Sequence, residues 1–427
     1  MNTYNADIII VGAGMAGLMA GKILSENGLK VIIEEARDRI GGRVYTYEDD
    51  NFPEPVELGA EFIHGDLPVT FEILKEAKIN YTATGGESYR FENGKLLAND
   101  FFILQWSLLE EKLSALNEDI TIADFLNTHF AGEEFVELRN YIRGFVEGYD
   151  AADPKLASAF ALRNEWLSKN DETSYRITGG YAKLIEYLYD NIIKHKGEII
   201  LSSPIKEVQW NDGYATVITD EQKKYSAKKI IIAVPIGVLQ QSAITFYPEI
   251  PEKISAAKQI GYGDVIKILI AFKKRFWEDA GLRNLGFLFT GKSIPTWWTQ
   301  HPQNSSVLTG WLAGPPAGEM KNINEDAILQ NAITSLAETF QFTTAELEGL
   351  IIAKKVVNWS ADKFTGGAYA YATLYTAEAR KILSEPVDDI IYFAGEALFD
   401  GPAMGTVEAA LSSGKEVAEK IIKMKGR

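Results

Sequence analysis

The sequence contains no cysteine. That absence excludes disulfides, thiol catalysis, cysteine-bound metal and any cysteinyl bond to a cofactor. It agrees with a reducing compartment, and a cytoplasmic location is the expectation. Histidine is scarce: the 4 residues His64, His129, His195 and His301 show no H-x-x-x-H spacing, so no metal site is expected. Basic charge is outweighed, with 43 Lys+Arg against 59 Asp+Glu and a net charge of −16. A phosphate backbone would be repelled by that field, so nucleic acid is not an expected partner, whereas a cationic ligand would be mildly attracted. Long apolar runs are also missing. The most apolar stretch, residues 230–239, is far too short to span a bilayer and contains Pro235. No basic residue precedes the apolar run at 8–11, so the start does not read as a signal peptide, and no membrane association is expected.

What is present is a globular composition: 427 residues, 46% hydrophobic and 24% charged, suiting two to three domains. Asp7-Ile-Ile-Ile-Val11 is an unbroken apolar, β-branched run, the pattern of a strand buried on both faces of a parallel sheet. Gly12-Ala-Gly14-Met-Ala-Gly17 follows at once, then a helix over 18–27 with Gly28 as its C-cap. A second strand over 29–33 ends at Glu34-Glu35, completing a βαβ unit. Gly12 permits the tight turn, Gly14 lets the backbone approach a pyrophosphate, and Gly17 allows close helix–strand packing. The helix N-terminus offers free N–H groups to phosphates. Glu35, at the strand end, would accept hydrogen bonds from a ribose 2′-OH, while its neighbour Glu34 reads as a solvated carboxylate. Arg37, Arg39, Gly41-Gly42 and Arg43 come next. The glycine pair lets the loop pass close to a pyrophosphate, which Arg43 can reach in bidentate fashion.

Further on, residues 99–189 look mostly helical, with apolar spacing at Phe101, Leu104, Leu108, Leu109 and Leu113. Short β-rich runs are expected at 199–201, 207–210, 215–219, 229–234, 260–272 and 390–394, and a closing helix at 407–424. Within the 260–272 stretch, alternation puts Lys267 on one face with Val265, Leu269 and Ala271. An ammonium there is costly unless something pairs with it. The other reading is an edge strand from which Lys267 snorkels to solvent.

These segments resemble the flavin-containing amine oxidase family, which includes monoamine and polyamine oxidases, L-amino-acid oxidases and histone lysine demethylases. The resemblance is carried by residues 7–19, EARDRIGGRV at 35–44, ELGAEFIHG at 57–65, residues 178–189 and 229–240, GYGDVIKILIAFK at 261–273, Trp359 with FTGGAYAY at 364–371, FAGEALFD at 393–400, and GTVEAALSSGK at 405–415. It spans essentially the whole chain. The first two motifs are shared with other FAD proteins, including phytoene desaturases and protoporphyrinogen oxidases. The lysine strand and the Gly-Gly-Ala-Tyr segment are more specific to amine oxidation.

The resemblance implies an α/β fold: a Rossmann-type FAD-binding domain (1–75, 178–245 and 385–427) interleaved with a substrate domain of mixed β-sheet plus helical insert (76–177 and 246–384). It places FAD against Gly12, Gly14, Ala16, Gly17, Glu35, Ala36 and Arg37. Further contacts fall to Gly42, Arg43, Gly59, Ala60, Glu61, Phe62 and Trp359. Val208 would meet the adenine side through its backbone, Gly395-Glu396 the diphosphate–ribityl region, and Thr406-Val407 the pyrimidine end, where a helix dipole favours negative charge. Lys267 corresponds to a lysine that holds a water near flavin N5. Tyr369 and Trp359 correspond to the aromatic residues at the flavin face, and Gly366-Gly367 would keep side chains away from a ring there. His64 matches a substrate-side position. A carboxylate at Glu61, near the ring, would favour a cationic substrate. Ala368 stands where monoamine oxidases carry the cysteine that bonds the flavin, so the FAD should be non-covalent. Thr406 replaces the second tyrosine of their aromatic sandwich and leaves room for a longer or bulkier amine. The implied activity is oxidation of an amine C–N bond by hydride transfer to flavin N5. An imine then hydrolyses, and O2 is reduced to hydrogen peroxide, in a monomer or homodimer. An L-amino-acid oxidase would need a carboxylate-binding arginine, and 57–65 contains none, though Arg90, Arg139 and Arg143 remain candidates. A flavin desaturase and a flavin-bound interaction protein stay open as rivals.

Overall fold

The computed structural model describes residues 5–99, 105–167, 173–211, 213–401 and 403–425. The run after Asp7 lies in a strand, Ala6–Val11, paired in parallel with Val31–Glu34 on one side and Lys224–Ile232 on the other. Ile8 and Ile10 enter one core cluster, Ile9 and Val11 another on the opposite face. Burial on both faces accounts for the unbroken apolar run. The following helix, Met15–Glu26, starts three residues earlier than expected. Its first hydrogen bond, Leu18 N to Gly14 O at 2.9 Å, already closes over the glycine turn. Gly28, at φ +74, takes the left-handed position just past its end. Leu29 N still donates to Leu24 O, which delays the second strand to Val31.

Across the first sheet the order is Glu198–Ile200, Val31–Glu34, Ala6–Val11, Lys224–Ile232, Tyr214–Thr219, Ile205–Asn211 and Thr245–Tyr247, with Ile391–Phe393 also pairing Lys224–Ile232. The second sheet runs Ile351–Asn358, Val265–Phe272, Val307–Ala313, Thr296–Thr299, Leu285–Phe289, Glu87–Glu92 and Lys95–Ala98. Its last two strands form a hairpin turning at Asn93-Gly94, both at positive φ, a turn type that suits this dipeptide. The expected 260–272 strand is two pieces. Gly261–Tyr262 pairs with Ala370–Tyr371, and the chain then bends into Val265–Phe272. This break places Tyr369 beside the start of the lysine strand, with Gly263 N donating to Tyr369 O at 2.8 Å.

Helices Trp106–Ser114, Ile122–His129, Val136–Gly148 and Ala159–Leu167 pack around Leu109, Leu113, Phe125 and Ile142. Phe101 and Leu104 lie outside the described residues. Strand Ser174–Ile177 interrupts this otherwise helical stretch and pairs with Ile63–His64. Helix Val407–Lys425 closes the chain against Met15–Glu26: a Cβ on Gly414 would overlap Ala16 O. Among the described residues no helix is long and apolar enough to cross a membrane.

Candidate active site

The glycine turn is shaped by what surrounds it. Gly12 sits at φ +107, and a Cβ there would press on Ala233 O at 2.8 Å, while one on Gly17 would overlap Gly12 O. Gly14 has nothing within 4 Å of its missing Cβ. The helix starting beside it has no side-chain cap, so its first N–H groups and positive dipole end remain available to an anion. The second glycine loop touches the first. Gly41 N donates to Ala13 O at 2.8 Å, and a Cβ on Gly42 would come within 3.2 Å of Gly14 Cα. Glu35 accepts from Ala13 N and Arg37 N, both at 2.8 Å. Burial raises its carboxyl above the usual range against the pull of those N–H groups and of Arg37 and Arg39.

Arg37 forms a two-pronged pair with Asp362, at 2.9 and 2.6 Å, tying this loop to the segment between Trp359 and Tyr369. Arg43 Nη1 donates to Ala368 O at 2.5 Å and to Glu396 Oε1 at 2.6 Å. Its Nε and Nη2 have no hydrogen-bond partner among the described residues. Thr406 accepts from Ala409 N at 3.2 Å and so caps the last helix. A continuous cavity of about 3540 Å³ is lined by Gly12, Gly14, Ala16, Glu35, Ala36, Arg37, Gly42, Arg43, Gly59 and Ala60, and beyond them by Glu61, Phe62, His64, Lys267, Trp359, Tyr369, Gly395, Glu396, Thr406 and Val407. Two expected contacts do not line it. Gly17 is spent on packing. Val208 is fully buried in the core between Val217 and Phe246, and the strand meets the cavity at Ile205 and Lys206 instead.

Lys267 is 1% exposed, in a strand paired on both sides, so the edge-strand reading is excluded. Its Nζ donates to Glu61 Oε2 at 2.7 Å and Gly59 O at 3.1 Å. Glu61 Oε1 accepts from Trp298 Nε1 at 2.9 Å and from Arg176, whose Nη2 lies 2.8 Å away. Burial would raise Glu61, but Lys267 and Arg176 outweigh it and hold the carboxyl down at about 2. This corrects the expectation for Glu61: with two cations on it, the carboxylate is already neutralised and does not recruit a cationic substrate.

Beyond the lysine, Trp359 is 5% exposed and donates from Nε1 to Leu58 O at 3.0 Å, its ring set against Gly59. Tyr369 donates to Tyr149 O at 2.6 Å. Burial, then Asp150, Tyr149 and Glu165, keep its phenol far above the ordinary value, hence neutral. The glycines before it answer to the protein itself: a Cβ on Gly367 would strike Tyr262, and one on Gly366 would strike Gln241. His64 shares a hydrogen bond of 2.9 Å between Nδ1 and Ser174 Oγ, and its ring lies 5.4 Å from Tyr149. Burial pushes its imidazole down to about 4, so it is uncharged near neutral pH. On the same side, Asp150 and Glu165 both line the cavity. Burial raises both carboxyls, Glu165 to about 7, and Glu165 raises Asp150 further.

Residues 15–422 match the family model described as flavin containing amine oxidoreductase. The chain belongs to that family. That family is one of flavin-containing oxidoreductases. It is 28% identical to human lysine-specific histone demethylase 2, covering 98% of this chain but 53% of that protein, and so spans about half of that relative's length. The mouse demethylase 1B is matched over the same 53%. Arabidopsis thaliana probable polyamine oxidase 4 is 26% identical, covering 100% of this chain and 89% of the relative. In fold, the chain superposes on wild-type putrescine oxidase bound to putrescine with a TM-score of 0.80 at 21% identity, covering 98% and 99% of the two chains. Cyclohexylamine oxidase from Brevibacterium oxydans gives a TM-score of 0.82 at 21% identity, covering 99% and 100%.

The site suits a diphosphate-bearing flavin: an open glycine cradle at an uncapped helix N-terminus, a buried carboxylate at the ribose position, and one cavity running on to Lys267. Sequence reasoning missed Asp150, Glu165, Tyr149, Arg176 and Trp298. Arg176 lies in a stretch expected to be mostly helical, and nothing local announced that Glu61 would face it across 115 residues. Arg176 is fully engaged, donating also to His301 O at 3.0 Å and Thr299 O at 3.1 Å. Of the arginines held open for a substrate carboxylate, Arg139 is tied to Phe130 O and Gly132 O. Arg90 lines the cavity but pairs with Glu92 at 3.0 Å, and Arg143 does not line it. Glu34 is not solvated. It is 1% exposed, and neither carboxylate oxygen has a hydrogen-bond partner among the described residues.

Proposed function

We propose that this chain is an FAD-dependent oxidase of amines that carry a second positive charge, such as diamines and polyamines. The carrying observation is the Asp150–Glu165 pair in the cavity beside Tyr369. The Asp150 carboxyl, destabilised by burial and by Glu165, gains most when a cation sits against it. The rest of the pocket is aromatic and neutral: Tyr369 a phenol, His64 an uncharged imidazole, Glu61 balanced by Lys267 and Arg176. An amine held there is favoured in its neutral, reactive form, while its distal ammonium is anchored by the acids.

In this reading Gly12, Gly14 and Gly42 admit the FAD diphosphate, with the free edge of Arg43 turned to it. Glu35 takes the ribose, and Thr406-Val407 present a helix N-terminus to the pyrimidine end. The FAD-binding part comprises residues 1–75, 178–245 and 385–427, and the cofactor is held without a covalent bond. Bound FAD would accept a hydride equivalent from the substrate α-carbon and return the electrons to O2, so that the substrate leaves as an imine that hydrolyses. Tyr369 and Trp359 wall the reacting amine, and His64, its Nδ1 hydrogen-bonded with Ser174 Oγ, leaves Nε2 for the substrate side. An amino-acid substrate is disfavoured because Arg176 and Arg139 are engaged within the protein and Arg90 is paired with Glu92.

The test is steady-state peroxide formation with a diamine and with cyclohexylamine, in wild type and Asp150→Asn. Loss of a charged contact of about 1.5–3 kcal/mol predicts a kcat/KM for the diamine lower by about 10- to 150-fold, with cyclohexylamine little changed. Equal losses for both substrates would remove the acids from substrate binding.

A further inference from the structure

We infer that Glu61 is a positioning residue for Lys267: it supplies the counter-charge that fixes the ammonium and presents its remaining N–H to the cavity. An ammonium has three N–H donors. Two are taken, by Glu61 Oε2 at 2.7 Å and Gly59 O at 3.1 Å, and there is no third acceptor among the described residues. Glu61 is itself held on its other side by Trp298 Nε1 at 2.9 Å and Arg176 Nε at 3.0 Å. Arg176 is locked in turn by the carbonyls of Thr299 and His301. The carboxylate therefore cannot turn away, and its direction sets the direction of Nζ.

Removing the charge alone has a specific consequence. In Glu61→Gln the ammonium stays buried, without its counter-ion and beside the Arg176 cation. Burial and a like charge both favour the neutral amine. The other ionisable group facing this pair is Glu57, from the same loop. Burial pushes it up to about 7, against hydrogen bonds from Tyr181 N and Thr46 and the charge of Lys267. Its ionisation near neutral pH is distinct from an alkaline limb belonging to a lysine.

The activity readout rests on the amine-oxidase reading; the spectral readout needs only bound flavin. The absorption spectrum of flavin-loaded, substrate-free protein is titrated from neutral to alkaline pH, alongside the pH profile of turnover. Wild type gives the reference spectrum at each pH, against which any added alkaline step is read. Glu61→Gln should acquire one, with turnover falling about tenfold per pH unit beyond it. The double variant Glu61→Gln/Lys267→Met should lose the step, because the titrating group is gone. Glu61→Asp keeps the charge on a shorter arm, and should show no step but a lower kcat at every pH.

A Glu61→Gln spectrum that stays flat would overturn the inference, as would a step that survives in the double variant. If Glu61→Gln does not fold, Glu61→Asp decides: kcat equal to wild type overturns it. A spectral step without amine turnover would support the inference while rejecting the substrate reading.

Discussion

Replacing Glu34 by glutamine keeps the shape of a buried carboxyl and removes its ability to ionise. The carboxyl sits at the end of Val31–Glu34, 1% exposed, with Ser203 nearby but no well-formed hydrogen bond to either oxygen among the described residues. Burial chiefly, helped by Glu198 and opposed by Ser203 and Lys223, pushes its pKa up to about 7 from 4.5. A raised acid favours the folded state in its protonated form. Its stabilisation is complete below the unfolded pKa and is lost as pH rises through the folded one. The full loss for this shift is about 3.4 kcal/mol, of which about 2 kcal/mol falls between roughly pH 5.5 and 8.5. For 427 residues the unfolding entropy is about 0.9 kcal/mol/K, so that loss corresponds to about 2 °C. The melting temperature of Glu34→Gln relative to wild type should therefore climb by about 2 °C across that range, read by scanning calorimetry at fixed flavin concentration. A difference independent of pH would refute the reasoning, because it would mean that the Glu34 carboxyl is hydrated or paired in solution.

Two further outcomes follow from the cofactor loops. Gly17→Ala places a methyl on Gly12 O with no side chain available to yield, and overpacking of about 1–3 kcal/mol should appear as a lower melting temperature together with weaker flavin retention on dialysis. Asp362→Asn breaks the two-pronged contact with Arg37 across half-buried groups, and should raise the flavin dissociation constant about fivefold, measured by fluorescence on release.

The βαβ unit was legible because its signals are local: a β-branched run, three glycines and a strand-end acid lie within 29 residues of one another. Lys267 was legible for the opposite reason, as a charge breaking an otherwise apolar alternation. What could not be read were partners. Glu61 looked like a charge offered to a ligand, because its cations Lys267 and Arg176 come from strands 206 and 115 residues away. Asp150 and Glu165 carried no motif, since their proximity depends on how the helices pack around Phe125 and Ile142. Val208 illustrates register: along Ile205–Asn211 the first two positions meet the cavity while Val208 lies in the core, and spacing alone does not say which. The hairpin at Asn93-Gly94 had a clear turn signal, but its strands are mostly polar and exposed, so periodicity did not mark them.

The order of strands in the first sheet bears on how the protein is made. Ala6–Val11 and Val31–Glu34 leave the ribosome early, Lys224–Ile232 and its neighbours near mid-chain, and Ile391–Phe393 only near the end. The helix that packs against Met15–Glu26, and whose N-terminus would meet the flavin, comes later still, at Val407–Lys425. The glycine turn is thus translated well before the helix that completes it, and the two meet across a wide separation in sequence. Loop closure over such separations is slow, and an unfinished parallel sheet exposes apolar edges meanwhile. The cofactor cradle is consequently assembled only once segments far apart in sequence have met.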